Sequence, residues 1–130
     1  MKKDIEGRKD IELLVSSFYD AVIADDEIGF IFTDIVRMNW EKHLPVMCDF
    51  WENALFFTGA YSGNPMTLHK HLHHIRPLDN KHFTRWVQLF VVTVDRLFKG
   101  EKADLAKQKA AGIASFMESQ ILEYRKEQHL

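Results

Sequence analysis

The stretch FTRWVQLFVVTVDRLFKG, residues 83–100, contains the clearest helical pattern in the chain. Its apolar side chains recur every three or four positions, which is the spacing of one helix face. They are Phe83, Trp86, Val87, Phe90, Val91, Val94, Leu97 and Phe98. Lys99 and Gly100 follow, a basic residue and a glycine of the kind that end helices. The stretch therefore predicts a helix with one side buried in a core.

Three further segments have the same periodicity and cover residues 11–23, 39–57 and 103–124. Pro45 interrupts the second of them. Because proline is best tolerated in the first turn of a helix, we expect the regular helix to begin near Leu44. No segment alternates apolar and polar residues with a period of two over a useful length. The sequence therefore predicts an all-α fold.

The length of 130 residues indicates a single domain over residues 1–130. Hydrophobic residues make up 46% of the chain and aromatic residues 12%, which is enough for a packed core. The formal net charge is −2, and the basic residues are scattered, which argues against a nucleic-acid partner. Cys48 is the only cysteine, so an intrachain disulfide and a multi-thiolate metal site are excluded.

The first ten residues, MKKDIEGRKD, place two acidic residues where a signal peptide would have an apolar run. The apolar runs elsewhere are too short to cross a membrane. We therefore expect a cytoplasmic protein that does not contact a membrane.

Residues 58–81 do not fit a simple helical bundle. Gly59, Gly63, Pro65, Pro77 and a cluster of histidines leave little room for a long helix. A connection of this length is uncommon in a compact domain unless it is functional. We therefore expect the chemistry of the protein to lie here.

His69 is the histidine of this segment that helix geometry favours. Pro65 can open a short helix as its first residue. On that helix Met66, His69 and Leu72 would lie three residues apart on one side, with His69 directed at the core and His71 turned away.

The other histidines leave alternatives open. The geometry does not exclude His73 and His74. His69 and His73 also have the spacing of two zinc ligands on one helix face, although no third ligand lies close by in the sequence. Solvated or hydrogen-bonded side chains are expected for His71, His74, His82 and His129.

Several motifs, taken in chain order, resemble those of the group III truncated haemoglobins. They are Phe18-Tyr19, WEKHLPVMCDFW at 40–51, GAYSGNPM at 59–66, the histidine at 69, HFTRW at 82–86 and TVDRLF at 93–98. The likeness covers nearly the whole chain, from about residue 11 to residue 117. The glycine pairs of groups I and II are absent, which agrees with group III.

The resemblance implies a truncated globin fold, a two-over-two helical sandwich that encloses haem b. It implies that His69 is the proximal ligand of the iron. On the distal side it implies Tyr19 as the distal tyrosine, Phe18 as the aromatic residue beside it, His43 as the distal histidine, Met47 as an apolar wall and Trp86 as the distal tryptophan. The candidate partners of the haem propionates are Lys70, His73 and Arg76.

The implied function is binding of O2 and the related diatomic ligands NO and CO. Tyr19 and Trp86 would slow ligand release, because hydrogen-bond donors stabilise the partial negative charge of a bound ligand. Bulk oxygen transport fits poorly with a pocket that holds several donors. We expect the protein to be a monomer.

Two alternatives remain open. The first is a redox enzyme, an NO dioxygenase or a peroxidase-type protein. It would need an external reductase, because the chain contains no flavin or nicotinamide module. The second is a haem-free helical bundle that binds zinc through its histidines or serves as a partner-binding module.

Overall fold

The computed structural model describes residues 2–30, 40–57 and 79–128, and in these ranges it contains four α helices and no strand. The helices are α1 (Arg8–Ala24), α2 (Trp40–Phe56), α3 (Asn80–Leu97) and α4 (Glu101–Gln128). The predicted all-α class is confirmed. The last helix is longer than its periodic segment, since it begins at Glu101 and continues to Gln128.

The helices pack as two layers. Helix α1 packs against α2 and α3, and α4 packs against the same two helices. This is the pairing expected of a two-over-two helical sandwich. The apolar faces meet in one core, in which Phe18 of α1 and Phe90 of α3 are fully buried.

Small side chains let α4 approach its neighbours closely. The buried face of α4 consists, in its first half, of Ala103, Ala106, Ala110 and Ala114. Alanine brings little side-chain volume and has the highest helix propensity, so it suits the buried face of a helix that packs against α2 and α3.

The prediction that α2 begins near Leu44 is wrong, because the helix already begins at Trp40 and contains Pro45 in its second turn. Proline has no N–H, so the Glu41 carbonyl lacks its usual helical donor. Glu41 and Pro45 are both exposed, so water can hydrogen-bond that carbonyl instead. His43 therefore lies within the first turn of α2.

The start of α3 is capped by its own side chains. The Asp79 carboxylate accepts from the Lys81 N–H at 3.2 Å, and His82 Nδ1 accepts from the Asp79 N–H at 3.0 Å. Two backbone donors that the helix leaves unpaired are thus satisfied. His82 is hydrogen-bonded, as expected from the sequence.

The N-terminal segment caps α4 from a distance. The two Asp4 carboxylate oxygens accept from the backbone N–H groups of Lys102 and Ala103, each at 2.9 Å. A Cβ at Gly100, whose φ is +150°, would collide with the Asp4 side chain, so only glycine fits there. Ile5, next in sequence, is buried in the core.

Lys102 joins the same corner to α2. Its ammonium group donates to the Leu55 carbonyl at 2.7 Å and lies 5.1 Å from the centre of the Phe56 ring. A cation at the C-terminal end of a helix is favoured by the helix dipole. One corner of the fold therefore holds the end of α2, the start of α4 and the N-terminal segment together.

We predict that Asp4→Asn lowers the free energy of unfolding by about 1 kcal/mol at neutral pH, the usual value of a helix N-cap. The amide keeps one acceptor oxygen but turns a donor toward a backbone N–H. Chemical denaturation measures the loss, and Glu6→Gln, which changes an exposed carboxylate of the same segment, is the control. Equal stability of Asp4→Asn and Glu6→Gln would contradict the capping role.

The same variant has a pH signature. Burial of Asp4 opposes its ionisation, but the hydrogen bonds from Lys102 and Ala103 outweigh this and hold its pKa below the ordinary 3.8. A carboxylate with a lowered pKa stabilises the fold above its unfolded pKa, and the stabilisation is lost as the pH falls through the folded pKa. The difference between wild type and Asp4→Asn should therefore be constant near neutral pH and shrink below about pH 4.

Candidate functional site

Tyr19 of α1 and Trp86 of α3 form a hydrogen-bonded pair. Indole is only a donor, so the Trp86 Nε1–H donates to the Tyr19 hydroxyl oxygen. Burial raises the pKa of Tyr19, and the hydrogen bond from Trp86 only partly opposes this. The phenol is therefore protonated at physiological pH and carries an O–H group that can donate.

The ring of Phe18 packs against both members of this pair. Its ring centre lies 4.8 Å from that of Tyr19 and 5.4 Å from that of Trp86, and both contacts are edge-to-face. Phe18 is 1% exposed. Edge-to-face contacts between aromatic rings have preferred angles, so a fully buried Phe18 restricts the orientation of both polar aromatic residues.

The aromatic cluster continues through α3 to α2. Phe90 packs edge-on against Phe18 at 5.0 Å, and its ring is stacked with those of Trp86 at 6.1 Å and Trp51 at 4.8 Å. Sequence reasoning assigned Phe90 and Trp51 to the core but did not predict that they would link α2 to the Tyr19–Trp86 pair. A stack between different helices has no signal in helical periodicity.

An ion pair fixes α1 against α3 close to Trp86. Both Nε and Nη2 of Arg85 donate to one oxygen of Asp25, at 3.0 and 2.7 Å. The other oxygen accepts from the backbone N–H groups of Glu27 and Ile28. The hydrogen bond from Arg85 lowers the pKa of Asp25, whose side chain is nearly buried. The sequence analysis missed this pair.

Met47 and His43 lie four residues apart, hence on the same side of α2. Met47 is half-buried and packs against the core, and its role as an apolar wall of the site stays a prediction. His43 is exposed. The structure therefore brings Tyr19, Phe18 and Trp86 into one cluster. His43 does not belong to this cluster and lies at the surface of α2, one turn before Met47.

The predicted metal ligand His69 lies in residues 58–78, outside the described residues, as do Lys70, His73 and Arg76. Their assigned roles stay predictions. In the ranges that the structure describes, no group of three or more His, Cys, Asp or Glu side chains is placed to hold a metal ion. Cys48 is buried, and burial raises the pKa of its thiol, which is consistent with a packing role.

The chain is similar to known proteins along nearly its whole length. It is 28% identical over 127 residues to a Campylobacter jejuni protein named group 3 truncated hemoglobin ctb, covering 95% of this chain and 98% of that protein. The crystal structure of group III truncated hemoglobin from Campylobacter jejuni matches with a TM-score of 0.77 and 29% identity, over the same shares of the two chains. The predicted resemblance and the truncated globin fold are thus confirmed.

No family model matches the chain. Among the described helices, none is both long and apolar enough to span a membrane.

The Tyr19–Trp86 hydrogen bond predicts a specific NMR signature. In Tyr19→Phe the Trp86 indole loses its acceptor, so its Nε1–H should exchange with solvent at least about tenfold faster and shift upfield, as the loss of about 1.4 kcal/mol would produce. The Trp51 indole, which is buried and stacked on Phe90, is the internal control. Equal changes at both indoles would indicate general loosening of the core and would contradict a specific bond.

Proposed function

We propose that this chain, a truncated globin that resembles group III members in sequence and fold over 95% of its length, binds haem b and a diatomic gas such as O2, NO or CO. The observation that carries the proposal is the hydrogen-bonded pair of Tyr19 and Trp86 on a buried phenylalanine. In such a pair the indole N–H donates to the phenol oxygen, and the phenol O–H is the group that can donate to a small polar ligand.

The described residues fit the distal side of such a cofactor. Tyr19 and Trp86 offer neutral polar groups on apolar ring systems, and Met47 and Phe18 add apolar surface. A protonated phenol and an indole are donors rather than metal ligands. This donor set suits a small polar ligand in an apolar pocket and does not suit a bare metal ion.

Haem would supply an iron atom that can bind a diatomic gas. We assign the role of the protein ligand that would hold this iron to His69. The assignment is supported by the helix-face spacing of Met66, His69 and Leu72 and by the match of position 69 to the family's proximal histidine. Neutral imidazole is a common nitrogen ligand for iron.

Tyr19 and Trp86 would act on the bound gas together. The hydroxyl that accepts from Trp86 is held in one orientation, and a hydroxyl that accepts can also donate. Donation from Tyr19 would stabilise partial negative charge on the ligand and slow its release. Phe18 and Met47 would exclude water, which strengthens hydrogen bonds by lowering the local dielectric.

His43 suits a role at the entrance. It is exposed in the first turn of α2, one helical turn before Met47. A side chain in that position can turn toward or away from the pocket without disturbing the core. We therefore assign His43 to control of ligand access. The redox alternative stays a prediction, because no described residue distinguishes gas binding from turnover with a reductase.

The assignment of His69 is tested by visible spectroscopy. Wild-type protein reconstituted with haemin, reduced and exposed to CO should give a Soret band typical of a histidine-ligated haem. His69→Ala should lose haem or change the axial ligand, and imidazole added to the solution should restore the band. His71→Ala, which removes the histidine that the helix geometry turns away from the core, is the matched control and should behave as wild type. Normal ligation in His69→Ala together with loss in His73→Ala would reject the assignment.

The distal roles are tested by ligand kinetics. Tyr19→Phe should speed O2 dissociation about tenfold or more, since loss of one hydrogen bond to a charged ligand costs about 1.5–3 kcal/mol. In the double variant, Tyr19→Phe with Trp86→Phe, the O2 dissociation rate should rise by less than the product of the two single effects, because the two residues are hydrogen-bonded. Trp51→Phe, which removes a buried indole of the same cluster, is the control for packing.

His43→Ala separates access from retention in the same experiment. It should change the association rate after flash photolysis and leave the dissociation rate close to that of wild type. Equal association rates would remove the access role, and an unchanged O2 dissociation rate in Tyr19→Phe would remove the donor role of Tyr19.

A further inference from the structure

One face of α4 remains uncovered along the middle of the helix. Opposite the buried alanines runs a stripe with alternating spacings of three and four residues, all of them exposed. We call it the outer stripe of α4, and its residues are Lys109, Gly112, Phe116, Ser119 and Glu123. Phe116 at its centre is 49% exposed and presents a large apolar side chain to solvent in the middle of this stripe.

No contact in the described part of the chain requires a glycine at position 112. A Cβ at this position would meet no atom within 4 Å, and the helix is regular there. Glycine inside an exposed helix costs about 1 kcal/mol relative to alanine. A glycine in that position allows a close approach to the helix backbone from outside.

Ser119 is prepared for contact in a similar way. Its hydroxyl donates to the Phe116 carbonyl of the same helix at 2.8 Å. The hydroxyl is therefore already paired and would not be left without a partner if the surface were covered. Gly112 and Ser119 thus form two small positions on either side of Phe116.

The charges of the stripe are complementary to themselves. Lys109 lies seven residues before Phe116, and Glu123 lies seven residues after it, on nearly the same line of the helix. Neither makes an ion pair with another described side chain. A second copy of the helix laid antiparallel, with Phe116 over Phe116, would bring each Lys109 opposite the other copy's Glu123.

We propose that the outer stripe of α4 is a contact surface for a second copy of this chain, in a two-fold symmetric antiparallel dimer. A two-fold interface uses the same patch on both subunits, which is what a stripe with opposite charges at equal distances from its centre provides. The two Phe116 side chains meet at the symmetry axis, Gly112 and Ser119 leave room for them on either side, and two ion pairs set the direction. A single helix face buries less than a typical stable interface, so the dimer is weak and reversible.

The dimer replaces the expected monomer and does not depend on what the protein binds in its core. Phe116 and its neighbours lie on the side of α4 that faces away from α2 and α3. Loss of gas binding in Tyr19→Phe would leave it intact. Loss of the dimer would leave the proposed function intact.

Sedimentation velocity of the full-length, haemin-reconstituted protein from about 5 µM to 1 mM tests the proposal. Wild type should shift from monomer to dimer within this range, as expected of a small interface. Phe116→Ala should raise the dissociation constant about tenfold or more, because a central aromatic residue dominates such contacts. Val92→Ala, on α3, shortens another exposed apolar side chain and should leave the constant unchanged.

Charge reversal tests the antiparallel direction. Lys109→Glu alone and Glu123→Lys alone should each weaken the dimer about tenfold, and the double variant should recover it, because the reversed pairs attract again. Lys99→Glu changes the net charge equally, outside the stripe, and should have no such effect. A single monomeric species up to 1 mM, a dimer indifferent to Phe116→Ala, or a double variant as weak as the singles would each overturn the proposal.

Discussion

Burial of Phe18 between α1 and α3 is the contact on which the candidate site depends. Full burial of a phenylalanine contributes about 1.5–3 kcal/mol, and its favourable ring contacts add to this. Phe18 makes three such contacts, with Tyr19, Trp86 and Phe90. The same side chain therefore stabilises the packing of two helices and restricts the orientation of Tyr19 and Trp86, the two polar aromatic residues to which we assign the distal role.

Helix α3 carries most of this arrangement. Its buried face supplies Phe90 to the centre of the core and Trp86 to the site, while Arg85, next to Trp86, pairs with Asp25 at the end of α1. One turn of α3 thus provides an apolar contact, a hydrogen-bond donor and an ion pair to the same neighbouring helix. Movement of α3 against α1 would disturb all three together, so the Tyr19–Trp86 geometry is held by more than the bond between them.

The buried face of α4 is built from different side chains. Its first half consists of alanines, which add little apolar area of their own but allow close packing against α2 and α3. Its beginning is fixed by polar contacts from Asp4 and by Lys102, which reaches the end of α2. Large side chains on α1 and α3 form the candidate site. Small side chains on α4 let this helix pack against α2 and α3, while the outer stripe of α4 stays exposed.

The sequence by itself determined the all-α class and the resemblance to group III truncated haemoglobins, because helical periodicity is local and the family motifs lie in order along the chain. It predicted Tyr19, Phe18, Met47 and Trp86 for the distal side from the resemblance, but it did not predict how they meet. Asp25 and Arg85 are 60 residues apart, and Asp4 and Lys102 are 98 apart. Such pairs form only when helix packing brings distant residues together, and no periodic pattern records them.

Tertiary structure also decided matters of exposure. Pro45 is accepted in the second turn of α2 because that side of the helix faces solvent, which the residue type alone does not reveal. His43 is exposed for the same reason. The apolar residue Phe116 lies outside the core because α4 packs against α2 and α3 through its alanine face, and Phe116 lies on the opposite face. Periodicity says which residues share a face, and only packing against the other helices decides which face is buried.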